Sequence, residues 1–271
     1  MSRKIHKFEN GVCVYDDHLM PAQRQRYKTR NVHEADEEDL FIEIVTSLPE
    51  HSCFVNIGTA IGYYVILAKK LSPKLRIHAV EPLELFRNYL NENILLNNLK
   101  AQDFVIHKYA VGATEGRAGF LEKGYESQLL VTKEGFGMLH LFILQLKNLT
   151  KGLLGSIGVK RYAAGAGRKS DIDTVSLETL VNQVGRQIDL LSMDVQGLEL
   201  DILSGGQAVL ESGKVKTFII GTHGKVIHQQ CINMLTSNDY SIEYEKEDTR
   251  HQPDGIIIAS KGVQRLASQA G

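Results

Sequence analysis

The chain has 271 residues, 43% of them hydrophobic, and is long enough to bury one large core, which predicts a single α/β domain with appendages. Its 31 Lys and Arg residues nearly balance its 32 Asp and Glu residues, which argues against a nucleic-acid or membrane partner and favours a small or locally charged substrate. The three cysteines have no disulfide-framework or zinc-site spacing, and the basic N-terminus lacks the apolar run of a secretory signal. We therefore expect a cytoplasmic protein.

Residues 1–50 precede any alternation of strands and helices and are expected to form an N-terminal helical extension or cap. The acidic run Asp36–Asp39 stands directly before an apolar segment, as in the first turn of a helix that packs beside a sheet. The segment Gln23–Arg30 concentrates positive charge. It is expected either to bind an acceptor carboxylate or to be a solvated basic surface.

From residue 51 to 262, short apolar runs alternate with segments of helical period, which is typical of a doubly wound α/β sheet. The last two runs follow a helix with only a polar connection between them, so we expect a terminal antiparallel hairpin. The predicted strands are Cys53–Ile57, Arg76–Val80, Asp103–His107, Ile188–Met193, Lys216–Ile220, Ser241–Glu245 and Gly255–Ala259.

Helical periodicity predicts helices at Val65–Leu71, Leu85–Asn98 and Leu177–Val184, the last with Ser176 as its N-cap and Gly185 just past its end. Residues 124–170 interrupt the alternation, with glycine-rich ends around an apolar middle at 138–146. This insertion is expected to be a lid or substrate element, or else a plain packing helix. The small, polar tail 263–271 is suited to join a further C-terminal domain.

The first strand runs into a loop with glycines four residues apart, Gly58 and Gly62. It lacks the middle glycine that makes room for a pyrophosphate in nicotinamide- and flavin-binding loops, so a ligand without phosphate, such as S-adenosylmethionine, fits it better. Alone, such a turn is equally typical of a tight connection. Glu81 ends the second strand, where a carboxylate can accept hydrogen bonds from ribose hydroxyls, although it can also start a helix before Pro82. The loop and the acid together favour a cofactor site.

A third motif completes a resemblance. The segments V-N-I-G-T-A-I-G-Y-Y at 55–64, A-V-E-P at 79–82 with N-I-L-L-N-N at 93–98, and S-M-D-V-Q-G-L-E at 192–199 together resemble the FkbM family of methyltransferases. The resemblance implies a Rossmann-like class I methyltransferase with a mostly parallel sheet of about seven strands, helices on both faces and S-adenosylmethionine as cofactor. It implies a cofactor site of Asn56, Gly58, Thr59, Ala60, Gly62, Tyr63, Glu81 and Pro82, with Ala110 and Val111 near the adenine.

The chain departs from the family pattern at four positions. Asn56, Gln196 and Gly221 stand where acids are usual, and Ser192 stands where lysine is usual. Fewer acids should make the crevice less negative, which favours an anionic acceptor. The chain is also similar to the methyltransferase part of bifunctional enzymes that cap linear cyanobactin-type peptides. A carboxylate on a peptide or small-molecule natural product is therefore the favoured acceptor.

Asp194 and His223 are the candidate catalytic bases, because each follows the carboxyl end of a central strand. His223 lies between glycines, which is unusual for a core residue, although a loop histidine bonded to backbone is the alternative. Asp194 is alternatively a cofactor ligand or a helix cap. Glu199 ranks lower, since a solvated acid on the next helix is its alternative. No metal is expected, because methyl transfer from a sulfonium chiefly needs orientation and a dry site.

The sequence thus predicts an S-adenosylmethionine-dependent O-methyltransferase that acts by direct in-line transfer and releases S-adenosylhomocysteine. One alternative is a hydroxyl methyltransferase of a sugar or polyketide. A second is a nicotinamide-dependent oxidoreductase, which the missing middle glycine disfavours. A third is a cofactor-binding module without activity, which the replacements at Ser192, Gln196 and Gly221 keep open. The oligomeric state is left undetermined.

Overall fold

A computed structural model describes residues 3–122, 128–130, 168–247 and 255–262. The predicted insertion at 124–170 lies outside these residues except for short strand segments at 128–130 and 168–170, and its apolar middle at 138–146 lies wholly outside them. The predicted tail at 263–271 also lies outside the described residues.

The N-terminal part combines a small antiparallel hairpin with two helices. Its elements are β1 (Ile5–Lys7), β2 (Cys13–Tyr15), α1 (Pro21–Arg26) and α2 (Ala35–Ser47). Helix α2 confirms the helix expected from the acidic run, whereas the hairpin was not predicted. Strands of three residues are too short to show an alternating pattern in the sequence.

The remaining elements alternate along the chain. They are β3 (Cys53–Ile57), α3 (Tyr63–Leu71), β4 (Arg76–Val80), α4 (Glu84–Leu96), β5 (Phe104–His107), β6 (Ala110–Gly112), β7 (Gly116–Glu122), β8 (Gln128–Leu130), β9 (Arg168–Ser176), α5 (Leu177–Val184), β10 (Ile188–Asp194), α6 (Glu199–Ser204), α7 (Gln207–Ser212), β11 (Val215–Thr222), α8 (Lys225–Ser237), β12 (Ser241–Lys246) and β13 (Gly255–Ser260).

Seven of these strands form the central sheet in the order β12-β13-β11-β10-β3-β4-β5. Strand β13 runs antiparallel to both of its neighbours, while the other pairs are parallel, so the expected terminal hairpin and mostly parallel sheet are confirmed. The seven predicted strands agree with the observed bounds within two residues. The third begins at Phe104 rather than Asp103, because Ala101–Asp103 forms a 3-10 turn.

The core lies on both faces of this sheet. Side chains of β3 alternate between the two faces: Phe54 packs with helices α2, α3 and α4, whereas Val55 and Ile57 pack with α5, α6, α7 and α8. All five residues of β3 are buried, as expected for a central parallel strand covered on both sides. The carboxyl ends of the adjacent parallel strands β3, β10 and β11 therefore lie at the same edge of the central sheet.

A second sheet, of order β6-β9-β7-β8, was not predicted. Its strand β9 takes in the end of the predicted insertion and leads straight into α5. The caps of α5 are confirmed: the Ser176 hydroxyl accepts a hydrogen bond from the Thr179 amide, and Gly185 ends the helix with a φ of 68°. None of the helices within the described residues has the length and apolar character needed to cross a bilayer.

Candidate active site

The loop after β3 is held by backbone hydrogen bonds to the neighbouring strand. The amides of Gly58 and Thr59 both donate to the carbonyl of Val80, each at 3.1 Å. Gly58 and Gly62 have φ angles of +82° and +91°, a region that L side chains rarely adopt. The glycines are therefore required by the shape of the loop, which lies at the carboxyl edge of the sheet.

Glu81 joins this loop to the start of α4. Its Oε2 accepts a hydrogen bond from the Ala60 amide at 2.9 Å, and its Oε1 accepts one from the Leu83 amide at 2.9 Å. Its burial raises the pKa to about 7, although both backbone hydrogen bonds act to lower it. Glu81 thus fits both roles expected from the sequence. Its hydrogen bond from the Leu83 amide places it at the start of α4, and each of its oxygens can accept a further hydrogen bond from a ribose hydroxyl.

Two of the replaced family positions are neighbours. Asn56 on β3 pairs with Ser192 on β10, and the Asn56 side-chain amide donates to the Ser192 hydroxyl at 2.8 Å. The usual acid and lysine at these two positions would be an ion pair, whereas this chain has a neutral pair. The double replacement leaves the local charge unchanged, so only Gln196 and Gly221 remove negative charge relative to the family pattern.

Asp194, Glu199 and His223 form a compact group, which we call the acid–histidine cluster. His223 Nδ1 lies 2.7 Å from Glu199 Oε1, and His223 Nε2 lies 3.4 Å from Asp194 Oδ1. A carboxylate only accepts hydrogen bonds, so Nδ1 carries the proton and a neutral ring has its lone pair on Nε2. The structure therefore brings together the three residues that the sequence singled out as catalytic candidates.

Glu199 corrects one alternative from the sequence. It was considered a solvated acid, but its side chain is fully buried. It is the first residue of α6, and its Oε1 also accepts a hydrogen bond from the Gly197 amide at 3.0 Å. The loop at 195–198, where Gln196 and Gly197 have positive φ angles, turns this residue inward, which periodicity in a six-residue helix cannot reveal.

The N-terminal part adds acids that the sequence analysis missed at this edge. The pKa of Glu37, in the first turn of α2, is raised well above its usual value, first by burial and then by the negative charges of Glu34 and Asp194. The Tyr64 hydroxyl, just after the glycine loop, donates to Glu34 at 3.3 Å. The acidic run thus does more than start a helix, because it places the Glu37 carboxyl group close enough to Asp194 for the two to interact electrostatically.

The other predicted site residues take structural positions around the loop. The Tyr63 hydroxyl donates to Glu38 at 2.5 Å and accepts from Asn10, so it faces the N-terminal part. The Thr59 hydroxyl donates to the Asn56 carbonyl at 3.0 Å. Ala110 and Val111 are buried in β6, and Pro82 is half-buried beside Glu81.

The basic segment at 23–30 makes internal contacts. Arg24 donates to the backbone carbonyls of Asp16 and Leu19, and Arg30 forms an ion pair with Asp39 at 3.1 Å. Arg26 lies over the ring of Tyr27. These contacts fix α1 against the turn before it and the segment after α1 against α2, which supports a structural surface more than a carboxylate-binding one.

The sheet order, the glycine loop after β3 and the acid that ends β4 define a Rossmann-like methyltransferase. The family model described as the methyltransferase FkbM domain matches residues 52–242, and the chain belongs to this family. Membership of this family supports a methyltransferase and argues against the alternative of a nicotinamide-dependent oxidoreductase.

A putative methyltransferase from Jannaschia sp. (strain CCS1) is 24% identical over 181 residues, which cover 67% of this chain and 58% of that protein. The chain thus spans less than two thirds of this relative's length. The crystal structure of methyltransferase FkbM from Methylobacillus flagellatus KT is similar in fold, with a TM-score of 0.50 and 15% identity over 77% of this chain and 43% of that one. A precorrin-6y C5,15-methyltransferase from Geobacter metallireducens GS-15 has a TM-score of 0.47 and 13% identity over 91% of this chain and 95% of that one.

Proposed function

We propose that the chain is an S-adenosylmethionine-dependent O-methyltransferase that activates a hydroxyl acceptor through His223. The observation that carries the proposal is the hydrogen bond between His223 Nδ1 and the buried Glu199, which leaves Nε2 of a neutral ring as the basic atom. A hydroxyl is a poor nucleophile unless a base takes its proton as the new bond forms. Family membership supports the methyl transfer itself.

The residues of the site fit the proposed cofactor. Glu81 is a buried carboxylate beside the glycine loop, where ribose hydroxyls can donate to it. The negative charges of Glu34 and Asp194 both raise the pKa of Glu37, and a ligand that carries a sulfonium and an ammonium group would offset these charges. The loop from Asn56 to Gly62 would hold the methionine part, and Ala110 and Val111 would lie near the adenine.

When bound, S-adenosylmethionine supplies a methyl group on a positively charged sulfur and leaves as S-adenosylhomocysteine. The residues of the chain hold and move the proton of the acceptor. His223 Nε2 takes the proton of the acceptor hydroxyl as its oxygen becomes bonded to the methyl carbon, and Glu199 stabilises the imidazolium that results. Burial of Glu199 keeps the imidazole in one orientation, so that little reorganisation is needed at the moment of transfer.

A carboxylate on a peptide or small-molecule natural product is the second candidate acceptor. The absence of acids at Gln196 and Gly221 favours it, and a carboxylate needs no base because it is already ionised at neutral pH. Asp194 and Glu34, whose negative charges both act on Glu37, work against it, since an anionic acceptor would meet like charge there. We therefore propose a hydroxyl as the first candidate acceptor and a carboxylate as the second.

The test uses the full chain with methyl-labelled S-adenosylmethionine and a panel of peptides, glycosides and polyketide alcohols, with products identified by mass. We expect a methyl ether that survives mild alkali. An alkali-labile methyl ester would identify a carboxyl acceptor instead. Cofactor binding is measured separately by calorimetry with S-adenosylhomocysteine. Binding without transfer to any acceptor would favour a silent cofactor-binding module, and no binding at all would contradict the proposal.

A further inference from the structure

The acid–histidine cluster has the composition of a metal site. Asp194, Glu199 and His223 each offer one ligand atom, and these three atoms lie within 4.8 Å of one another. They come from three different elements, the end of β10, the start of α6 and the loop after β11. The cluster is therefore held by the fold and is not a run of acids along one helix face.

A second observation concerns the buried oxygen of Glu199. Its Oε1 accepts two hydrogen bonds, but its Oε2 is buried and has no hydrogen-bond partner among the residues that the structure describes. A buried carboxylate oxygen without a donor costs folding free energy, and such atoms are rare in proteins unless an ion or a water satisfies them. A cation bound at this oxygen would remove that cost.

We propose that Asp194, Glu199 and His223 bind a divalent cation of the Mn²⁺ or Zn²⁺ type. Two carboxylate oxygens and one imidazole nitrogen are too few ligands for Ca²⁺, which takes six to eight oxygens, and the nitrogen is poorly suited to Mg²⁺. Three protein ligands leave coordination positions open, as in catalytic rather than structural metal sites.

Binding requires His223 Nδ1 to release the proton that it donates to Glu199 Oε1, so that the ion takes the place of that proton between the two residues, and it requires a movement of the Asp194 side chain toward them. Ligand atoms around such an ion are about 3 Å apart, because each lies about 2 Å from the metal. His223 Nδ1 and Glu199 Oε1 are already 2.7 Å apart, and the Asp194 side chain, which is 46% exposed at the rim of the site, can move toward them. Gly221 pairs with Asp194 across the β10–β11 ladder and brings no side chain against it, which leaves room for this movement.

The consequence for catalysis rests on the proposed function. With an ion bound, His223 would be its ligand and would no longer act as the base of the metal-free site; the ion would instead hold the acceptor oxygen and lower the pKa of its hydroxyl, whose proton would leave to solvent. It would also offset the negative charge of the neighbouring acids, which makes an anionic or partly ionised acceptor easier to accommodate. The binding of the ion can be tested without any acceptor.

The experiment titrates the purified, EDTA-treated full chain with Mn²⁺, followed by electron paramagnetic resonance, and with Zn²⁺, followed by calorimetry. We expect one ion per chain with a dissociation constant in the low micromolar range, and much weaker binding of Mg²⁺ and Ca²⁺. Glu199→Gln and Asp194→Asn should each weaken binding by about 10-fold or more. The matched control Glu211→Gln removes one surface carboxylate on α7 and should bind like the unaltered chain.

Asp194→Asn keeps the test decisive if the buried Glu199→Gln variant fails to fold, because Asp194 lies at the rim. Equal Mn²⁺ affinity for the unaltered chain and Asp194→Asn would overturn the inference, as would the lack of any Mn²⁺ or Zn²⁺ binding. Calorimetry with S-adenosylhomocysteine separates the two proposals. Ion binding by a chain that does not bind this nucleoside would support the metal site and refute the proposed function, and the reverse result would refute the metal site alone.

Discussion

Gly58 and Asp194 are so close that a Cβ atom on Gly58 would lie 2.4 Å from the backbone carbonyl oxygen of Asp194. The glycine loop after β3, at 56–62, and the acid–histidine cluster are therefore in direct contact through the backbone. This contact joins the carboxyl ends of β3 and β10, which are paired in the central sheet. A change in the loop is thus expected to displace Asp194 as well.

Gly58→Ala should destabilise the protein by about 2–4 kcal/mol, because the methyl group meets backbone that cannot move easily and the φ of +82° is strained for alanine. Urea denaturation measures this change. Gly112→Ala is the matched control, since a Cβ there meets no atom within 4 Å, and we expect it to change stability little. Equal stability of the two variants would contradict the close contact.

Glu199→Gln should lower kcat for methyl transfer by about 100-fold or more while KM for the cofactor stays nearly constant. Glutamine keeps the size of the side chain but no longer fixes the His223 ring with its proton on Nδ1 or stabilises the imidazolium. Steady-state kinetics and calorimetry with S-adenosylhomocysteine separate the two quantities. Glu211→Gln serves again as the control, and a parallel loss of cofactor binding would point to a purely structural role.

Glu81 should make the stability of the cofactor-free protein depend on pH. Its folded-state pKa of about 7 lies above the ordinary 4.5, so the folded chain holds a proton that the unfolded chain releases. Stability from this group is fully present below pH 4.5 and is lost as pH rises through 7, by about 3 kcal/mol in total. Urea denaturation across this range should show the fall, and Glu81→Gln should remove it.

The same titration predicts the pH dependence of cofactor binding. Ribose hydroxyls donate to the ionised carboxylate more strongly, so the affinity for S-adenosylhomocysteine should rise as pH passes upward through about 7. Calorimetry at a series of pH values measures this. Glu81→Gln should bind more weakly and with little dependence on pH over that range. An affinity that falls between pH 6 and 8 in the unaltered chain would contradict the proposed role of Glu81.

Asn93 links the glycine loop to the N-terminal hairpin. Its side chain is fully buried, donates to the Ile61 carbonyl at 2.9 Å and accepts from the Tyr15 amide at 3.2 Å. Asn93→Ala should cost about 1–3 kcal/mol, because it leaves buried backbone groups without partners. It should also increase amide hydrogen exchange in β2. The exposed Asn233→Ala on α8 is the control, and a similar small cost for both would refute the linking role.

The sequence predicted the central sheet well because its signals are local. Strands β3, β4 and β10 are apolar runs bounded by glycine or polar residues, and helix α5 carries its own caps in Ser176 and Gly185. The small sheet that contains β9 and the N-terminal hairpin were missed. The strands of that hairpin are short, and both structures depend on partners far away in the chain, such as the Asn93 and Asn97 side chains that bind the backbone of β2.

The sequence by itself determined the family and the position of the glycine loop, because glycines at special backbone angles and an acid at a strand end are properties of single positions. The tertiary structure alone decided that Asn56 and Ser192 form a neutral pair, that Glu199 is buried against His223, and that Glu37 of α2 interacts electrostatically with Asp194. Each of these depends on strand order and on the inward turn of a loop. Residues 24 or more positions apart meet only when the chain has folded, so their charges and burial cannot be deduced from spacing.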